Sequence, residues 1–257
     1  MRRRMTRGAR GRAGVRTRAL AALGLALVAF AGAHMWRGAA TVAAYAEAAR
    51  SVRTDGAVSP ELIGDVAPGA VAWLEVGGTG VDLPVMRAPE GDEGFYLEHD
   101  HTGADSDVGV PYVAPDARPD GPAVMAFGHH VALTGGSFTE LFDLWRPERF
   151  AAIEHANTRW TTPTGGACEF RPLCAARVDG GEILATALAA ERTEVPREGL
   201  HALLGRTEAK AEGAEEALAK ARRSLVLVTC ASVVPGQSER TLVAFVSAEA
   251  PRDETHM

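Results

Sequence analysis

The N-terminal part of the chain contains the feature that most restricts where the chain can fold. Ala19–Trp36 holds no Asp, Glu, Lys or Arg, and eight Arg precede it. A membrane-spanning helix needs about 17–25 mostly apolar residues, so this run is just long enough to cross a bilayer. Because Arg collects on the cytoplasmic side, the N-terminus is predicted to stay inside. We therefore expect a basic cytoplasmic segment at 1–18, a single-pass anchor at 19–36, and an extracellular main body.

Two other interpretations of the apolar run stay open. A cleavable secretory signal also combines a basic start with an apolar centre, and Ala31-Gly32-Ala33 resembles a cleavage site. The third interpretation is a core helix of a soluble protein, which the Arg residues before the run disfavour. Anchor and signal both place the main body outside the cytoplasm.

The distribution of charge excludes one class of partner. Residues 1–50 contain ten Arg and one Glu, a balance of +9 against −6 for the whole chain, so residues 51–257 carry −15. Nucleic-acid binding depends on neutralising phosphates with Lys and Arg. An acidic main body therefore argues against a nucleic-acid partner.

The chain contains three cysteines, and an odd number outside the cytoplasm leaves at least one thiol unpaired. Cys168 and Cys174 lie in one predicted strand. On a straight strand they would share a face about 20 Å apart, too far for a disulfide, although Pro172 could bend the chain between them. The sequence has no C-x-x-C and no H-E-x-x-H spacing, so we expect neither a metal nor a cofactor.

The region after the apolar run divides by pattern. Residues 37–66 are predicted to form an extracellular stalk or N-terminal helix, and residues 67–250 one mainly β domain. Short apolar runs between turns predict its strands, as a barrel or a sandwich. These runs are Val71–Val76, Val81–Met86, Ala123–Phe127, Arg159–Thr162, Cys168–Val178, Ile183–Ala189, Ser224–Cys230 and Arg240–Val246. The last two should pair as a hairpin. Pro196–Arg223 predicts one or two inserted helices, and residues 251–257 a disordered tail.

A short helix is also predicted within the β domain. Ser137-Phe-Thr-Glu140 has the pattern of a capping box, in which the Ser hydroxyl accepts a hydrogen bond from a helical N–H and the Glu reaches back to the cap. Apolar residues follow it, and the helix should end by Pro147.

Three residues are candidates for chemistry. Cys230 ends an apolar strand, and a rigid support with an exposed end is how a nucleophile is usually presented. The alternative is a buried Cys that acts as a small hydrophobic side chain. His129 follows a strand and Gly128, and could equally be an ordinary surface residue. Arg240 begins the next strand, where a solvated charge is the alternative role.

Taken together, these residues resemble the sortases, whose pattern is a strand ending in Thr-Cys, a His far upstream and an Arg on the next strand. Leu227-Val-Thr-Cys230, Phe127-Gly-His129 and Arg240 carry the resemblance. Further segments resemble the class B branch, over roughly Val71–Val246. They are Trp73-Leu74, Asp82-Leu-Pro-Val85, Phe95-Tyr-Leu-Glu-His99, Gly128-His-His130 and Ser137-Phe-Thr-Glu-Leu141, with the helical insertion before Leu227. Gly109-Val-Pro-Tyr112 and Ala231-Ser232 depart from the family pattern near the expected path of the substrate.

The resemblance implies a sortase-type β-barrel with short helices and a helical insertion before the Cys-bearing strand, preceded by one N-terminal transmembrane helix. It implies a cysteine transpeptidase of the Gram-positive cell surface, with His129, Cys230 and Arg240 catalytic and Thr229 and Ser232 binding substrate. The expected partners are secreted proteins bearing a C-terminal sorting signal, and an amine of peptidoglycan or of a pilin.

Three other classes of function fit the sequence less well. Papain-like wall peptidases place the Cys before the His, the reverse of the order here. L,D-transpeptidases place the Cys close to a Ser-His-Gly sequence, which this chain lacks. A non-catalytic, anchored interaction module would tolerate loss of Cys230, and it gives no reason for His, Cys and Arg to coincide.

Overall fold

The computed structural model describes residues 8–132, 134–179, 194–231 and 238–250, with side chains from Leu20 onward. The chain begins with one long helix, α1 (Gly8–Ser51). A two-stranded ribbon of β1 (Arg53–Thr54) and β2 (Ala57–Val58) and a short helix, α2 (Pro60–Val66), connect it to the main body.

Eight strands of the described chain close into a barrel, in the order β10-β8-β7-β3-β4-β5-β6-β9. They are β3 (Ala70–Val76), β4 (Asp82–Arg87), β5 (Tyr112–Val113), β6 (Ala123–Phe127), β7 (Thr158–Thr162), β8 (Gly166–Asp179), β9 (Arg223–Cys230) and β10 (Glu239–Ser247). Neighbours are antiparallel except for β4–β5 and β6–β9. The predicted barrel and its final hairpin, β9–β10, are therefore confirmed. The strand predicted at Ile183–Ala189 lies outside the described residues.

Helix α1 has two parts with different surroundings. Its first part is apolar and exposed: Leu20, Leu23, Leu25, Leu27, Val28, Phe30, Met35 and Trp36 are all more than half exposed. Its second part turns one stripe toward the barrel, formed by His34, Gly38, Val42, Tyr45, Ala48 and Ala49. This spacing of three or four residues is that of one helical face. By length and composition the helix over Leu20–Ser51 is able to cross a membrane.

The predicted helical insertion forms two helices, α4 (Arg197–Leu204) and α5 (Ala214–Lys220). The segment between them pairs with the edge of β8 that β7 leaves free: the Ala175 N–H donates to Ala209 O at 2.8 Å, and the Ala211 N–H donates to Leu173 O at 3.0 Å. The insertion thereby covers the outer face of three strands. This outer core consists of Leu173, Cys174, Ala176, Val178, Leu200, Leu203, Leu204, Leu218, Val226, Val228, Leu242, Ala244 and Val246, among others.

All three cysteines are free, so Cys168 and Cys174 do not form a disulfide. The expectation that these two side chains share one face of the strand was wrong. Cys168 packs with the main core, whereas Cys174 packs with the outer core. The register of β8 against β10 shifts here, because Ala244 pairs with Cys174 and the next residue, Phe245, pairs with Pro172. The extra residue is a β-bulge, which reverses the alternation of side chains between the two cysteines.

Candidate active site

Strand pairing brings the three candidate catalytic residues to one end of the barrel. Arg240 is the direct partner of Cys230 in the β9–β10 ladder. β6 runs parallel to β9 on its other side, so both strands finish at the same end. The Gly128 N–H donates to Val228 O at 3.0 Å, which carries this pairing one residue beyond β6. His129 therefore lies beside the end of the strand that bears Cys230.

The alternation of side chains puts these residues on the outside of the barrel. On β9, Val226 and Val228 belong to the outer core, and the two-residue period extends that face to Cys230. On β10 the same period connects Leu242 with Arg240. Met125 and Phe127 of β6 also pack against the outer core. The outer face of three adjacent strands thus ends in the candidate nucleophile and its neighbours.

Cys230 and Arg240 are both partly exposed, unlike the residues that precede Cys230 on β9. The Arg240 Nη1 donates to its neighbour's carbonyl, Glu239 O, at 3.0 Å. The same carbonyl accepts from the Ala231 N–H at 3.1 Å, which holds the two strands together just beyond the cysteine. The Glu239 carboxylate itself is paired with Arg177. A rigid ladder therefore supports a thiol and a guanidinium that remain accessible.

The backbone of His129 is fixed by the segment that follows it. Its N–H donates to Ser137 Oγ at 3.0 Å, and its carbonyl accepts from the Phe138 N–H at 3.0 Å. Phe138 is fully buried against Gly128, where a Cβ would lie 2.5 Å from the ring. Glycine is thus required at Gly128 for this close approach.

The capping box predicted at Ser137 was wrong, and the true role of this Ser concerns the site. Ser137 has a φ of 45°, and its hydroxyl holds His129 instead of a helical N–H. Glu140 accepts from the Gly80 N–H at 3.0 Å. Only a 3-10 turn forms in the predicted helix, at Thr139–Leu141. Pro147, which was expected to end that helix, instead begins a different one, α3 (Pro147–Phe150). The local pattern was overridden by hydrogen bonds to distant residues.

Burial lowers the pKa of His129, and the neighbouring His130 lowers it further, while Glu98 opposes both effects. His130 is held against the ring of Phe142, with ring centroids 4.3 Å apart. The surroundings of His129 therefore favour the neutral imidazole and make its protonated form a stronger acid than an ordinary histidine.

A groove of about 680 Å³ follows the outer face of β6 as far as Phe127, two residues before His129. His129, Cys230 and Arg240 do not line it. Its residues include Met125, Phe127, Val226, Tyr112 and Pro196, with Glu90, Glu93 and Asp116 also along its lining. The groove is mostly apolar along its floor and carries acidic groups at its edge. Its dimensions suit an extended peptide segment.

Tyr112 connects this groove to the catalytic candidates. Its ring stacks on Phe127 with centroids 5.6 Å apart. Burial raises its pKa to about 12, with a smaller contribution from Glu93, and the charges of Arg240 and Cys230 also act on it. Tyr112 therefore stands within electrostatic reach of both residues. The sequence indicated only that Gly109–Tyr112 lies near the expected substrate path, and Tyr112 itself was not among the predicted site residues.

The two residues predicted to bind substrate stand differently. The Thr229 side chain is only 2% exposed and lies on the same face as Leu225 and Leu227, toward the barrel interior. Its Oγ1 has no hydrogen-bond partner within the described parts of the chain. From this position Thr229 could meet a ligand on the outer face only through its backbone. Ser232 lies outside the described residues.

The architecture defines the class of fold: an eight-stranded sortase-type barrel of the class B kind. By sequence, the chain matches no protein-family model and no curated protein. Among solved structures, it is similar to sortase B of Clostridium perfringens, with a TM-score of 0.58 and 18% identity over 73% of this chain and 98% of that one.

Two further structures have the same fold. A complex of Staphylococcus aureus sortase B with substrate has a TM-score of 0.56 and 14% identity, over 72% of this chain and 82% of that one. A class B sortase of Streptococcus pyogenes involved in pilus biogenesis has a TM-score of 0.54 and 18% identity, over 71% of this chain and 94% of that one. At such identities the likeness concerns the fold.

Proposed function

We propose that the chain is a membrane-anchored cysteine transpeptidase of the sortase B type. It cleaves a C-terminal sorting signal of secreted proteins and transfers the acyl group to an amine. The observation that carries the proposal is the pairing of Cys230 directly opposite Arg240, with His129 beside them at the same end of the barrel. The likeness to a sortase B solved with its substrate supports an enzymatic role.

The reaction has two acyl transfers. As the Cys230 sulfur attacks the carbonyl carbon of the sorting signal, its thiol gives its proton to His129, and the C–N bond breaks to leave a thioester on Cys230. The departing amine takes that proton from His129. The acceptor amine then attacks the thioester and gives its extra proton to His129, which returns it to the Cys230 sulfur as the sulfur leaves, so the enzyme is restored. The lowered pKa of His129 favours release of the proton in the first transfer.

Arg240 is assigned to the carbonyl oxygen. A guanidinium stays charged at any physiological pH and presents several donors in one plane. Placed across the ladder from Cys230, it can donate to the negative charge that develops on that oxygen, or hold the substrate backbone.

Membrane attachment follows from the exposed apolar part of α1. We assign residues 19–36 to a single span with 1–18 in the cytoplasm, and 67–250 to an extracellular catalytic domain beyond the connecting region 37–66. A substrate held in the same membrane meets the enzyme at a raised effective concentration. The acceptor is an amine of peptidoglycan or of a pilin, and the likeness to a pilus-forming class B sortase supports including the second.

The test uses the full-length chain in detergent with a library of quenched sorting-signal peptides and amine acceptors, followed by mass spectrometry. We expect a thioacyl adduct on Cys230 and an amine-dependent transfer product. Cys230→Ala should abolish both, a loss of about 10⁴-fold or more in turnover, since nucleophile removal in other enzymes costs at least this much. The melting temperature should stay close to that of the wild type, because Cys230 is partly exposed.

Transfer by Cys230→Ala at the wild-type rate would disprove the assignment of the nucleophile. If the folded wild type formed no adduct with any peptide, the anchored interaction module would become the better description.

A further inference from the structure

Helix α1 contacts the segment that fixes His129, although it precedes that residue by far in sequence. A Cβ on Gly38 would lie 2.7 Å from Thr134 Cγ2, so the helix backbone and Thr134 are in close contact. Glycine in the middle of a helix is unfavourable, and here its lack of a side chain permits this approach. Gly38 is buried in the contact.

The next turn of α1 contacts the same segment at Gly136. A Cβ there would lie 2.9 Å from Val42 Cγ2 and 2.8 Å from Val108 Cγ1. Gly136 has a φ of 83°, a conformation that other residues rarely adopt. The positive φ of Gly136 and its close contact with Val42 and Val108 therefore fix the path of the backbone at this point.

Ser137 follows Gly136 directly and transmits this contact to the site. It lines a cavity of about 470 Å³ between α1 and the barrel, together with Val42 and Tyr45. Its hydroxyl also accepts the hydrogen bond from the His129 N–H at 3.0 Å. Gly136 alone thus lies between the Val42 side chain of α1 and Ser137, whose hydroxyl holds the candidate catalytic His129.

Tyr45 stabilises the other side of this contact. Its hydroxyl donates to Gly109 O at 2.7 Å, and this bond holds α1 against the loop before β5 that contains Val108. The partly buried Val42 side chain packs against the main core on this side of the helix.

We propose that α1 positions His129, with Val42 as the positioning residue that acts through Gly136 and Ser137. The functional meaning of this contact rests on the transpeptidase proposal above, whereas the contact itself does not. The helix that holds the enzyme in the membrane would then also complete the geometry of its proton donor.

The test compares Val42→Ala with Val52→Ala in the full-length chain in detergent. Both changes remove the same two methyl groups, but Val52 is the residue that directly follows α1 and lies ten residues after Val42, about 15 Å away at the helical rise. Val52 is fully buried and belongs to the main core, so its change controls for lost stability. Val42→Ile serves as the conservative variant.

The first readout is amide hydrogen exchange of His129, which reports its bond to Ser137 without any substrate. Val42→Ala should speed this exchange about tenfold through local opening, whereas Val52→Ala and Val42→Ile should leave it unchanged. The second readout is peptide turnover, where Val42→Ala should lower kcat several-fold with KM unchanged.

Unchanged His129 exchange in Val42→Ala, or an equal change in Val52→Ala, would overturn the positioning role. A selective change in exchange together with no Cys230 adduct in the wild type would support the contact and overturn the transpeptidase proposal instead. The two failures are therefore distinguishable.

Discussion

Cys174 and Cys230 lie on the same outer face of the barrel, yet in regions with opposite properties. Cys174, on β8, is fully buried beneath the insertion of α4 and α5. Cys230, at the end of β9, extends that face beyond the buried Val226 and Val228 and is partly exposed. Both cysteines lie on β-strands of the barrel, but only the Cys230 thiol is accessible to solvent.

The difference shows what the insertion does for the site. A free Cys in an apolar environment behaves as a small hydrophobic residue, and its thiolate is disfavoured. Burial raises the pKa of Cys174 to about 12. By covering the outer face over most of three strands and leaving the end of β9 open, the insertion makes one thiol inert and leaves the other available.

Alkylation tests most directly whether the Cys174 and Cys230 thiols differ in accessibility. With iodoacetamide at mildly alkaline pH, the native chain should be labelled at Cys230, and Cys174 should react far more slowly, because it is fully buried and burial raises its pKa to about 12. Peptide mapping by mass spectrometry measures both rates. In denaturant all three cysteines should react alike. Comparable native rates for Cys174 and Cys230 would mean that the insertion does not protect the outer face.

Replacing Arg240 tests whether the exposed end of β9 and β10 contains a catalytic donor beside Cys230. Arg240→Lys keeps the charge but loses the planar set of donors, so kcat should fall about 10²-fold, the loss typical of one oxyanion donor. Arg159→Lys is the matched control, because Arg159 also pairs across the barrel surface, with Glu169 at 3.1 Å. Peptide turnover should be normal in the control. Normal turnover in Arg240→Lys would reduce Arg240 to a surface charge.

The sequence was sufficient for the parts of the fold that depend on local pattern. The apolar run that ends in Cys230 and the turn-bounded run starting at Arg240 predicted a hairpin, and the structure contains it as β9–β10. The lengths of Ala123–Phe127 and of the insertion were also clear from pattern. The strands are short, continuous apolar runs bounded by turn residues, and the insertion differs from them in composition, so the signal is contained within each segment.

Features that depend on distant contacts could not be predicted in this way. The bulge between Cys168 and Cys174 depends on how β8 pairs with β10. Pro172 lies at this place, but from the sequence it indicated only that the chain could bend there. Ser137 had the sequence of a helix cap, but its hydroxyl serves His129, and the conformation of Gly136 is set by its contact with α1. Tyr112 joins the groove through the parallel pairing of β4 and β5, which becomes apparent only in three dimensions.

A pair of serine variants gives the finest comparison of the two regions. Cys174→Ser places a hydroxyl in the outer core, where an unsatisfied polar group should lower the free energy of unfolding by about 1–3 kcal/mol while leaving turnover unchanged. Cys230→Ser makes the same chemical change at a partly exposed position, so stability should change by less than about 0.5 kcal/mol while turnover is lost. Thermal unfolding of both variants in detergent, beside peptide turnover, measures the two effects. If Cys174→Ser were as stable as the wild type, the hydroxyl would have found a partner, and the outer core would be less tightly packed than its full burial indicates.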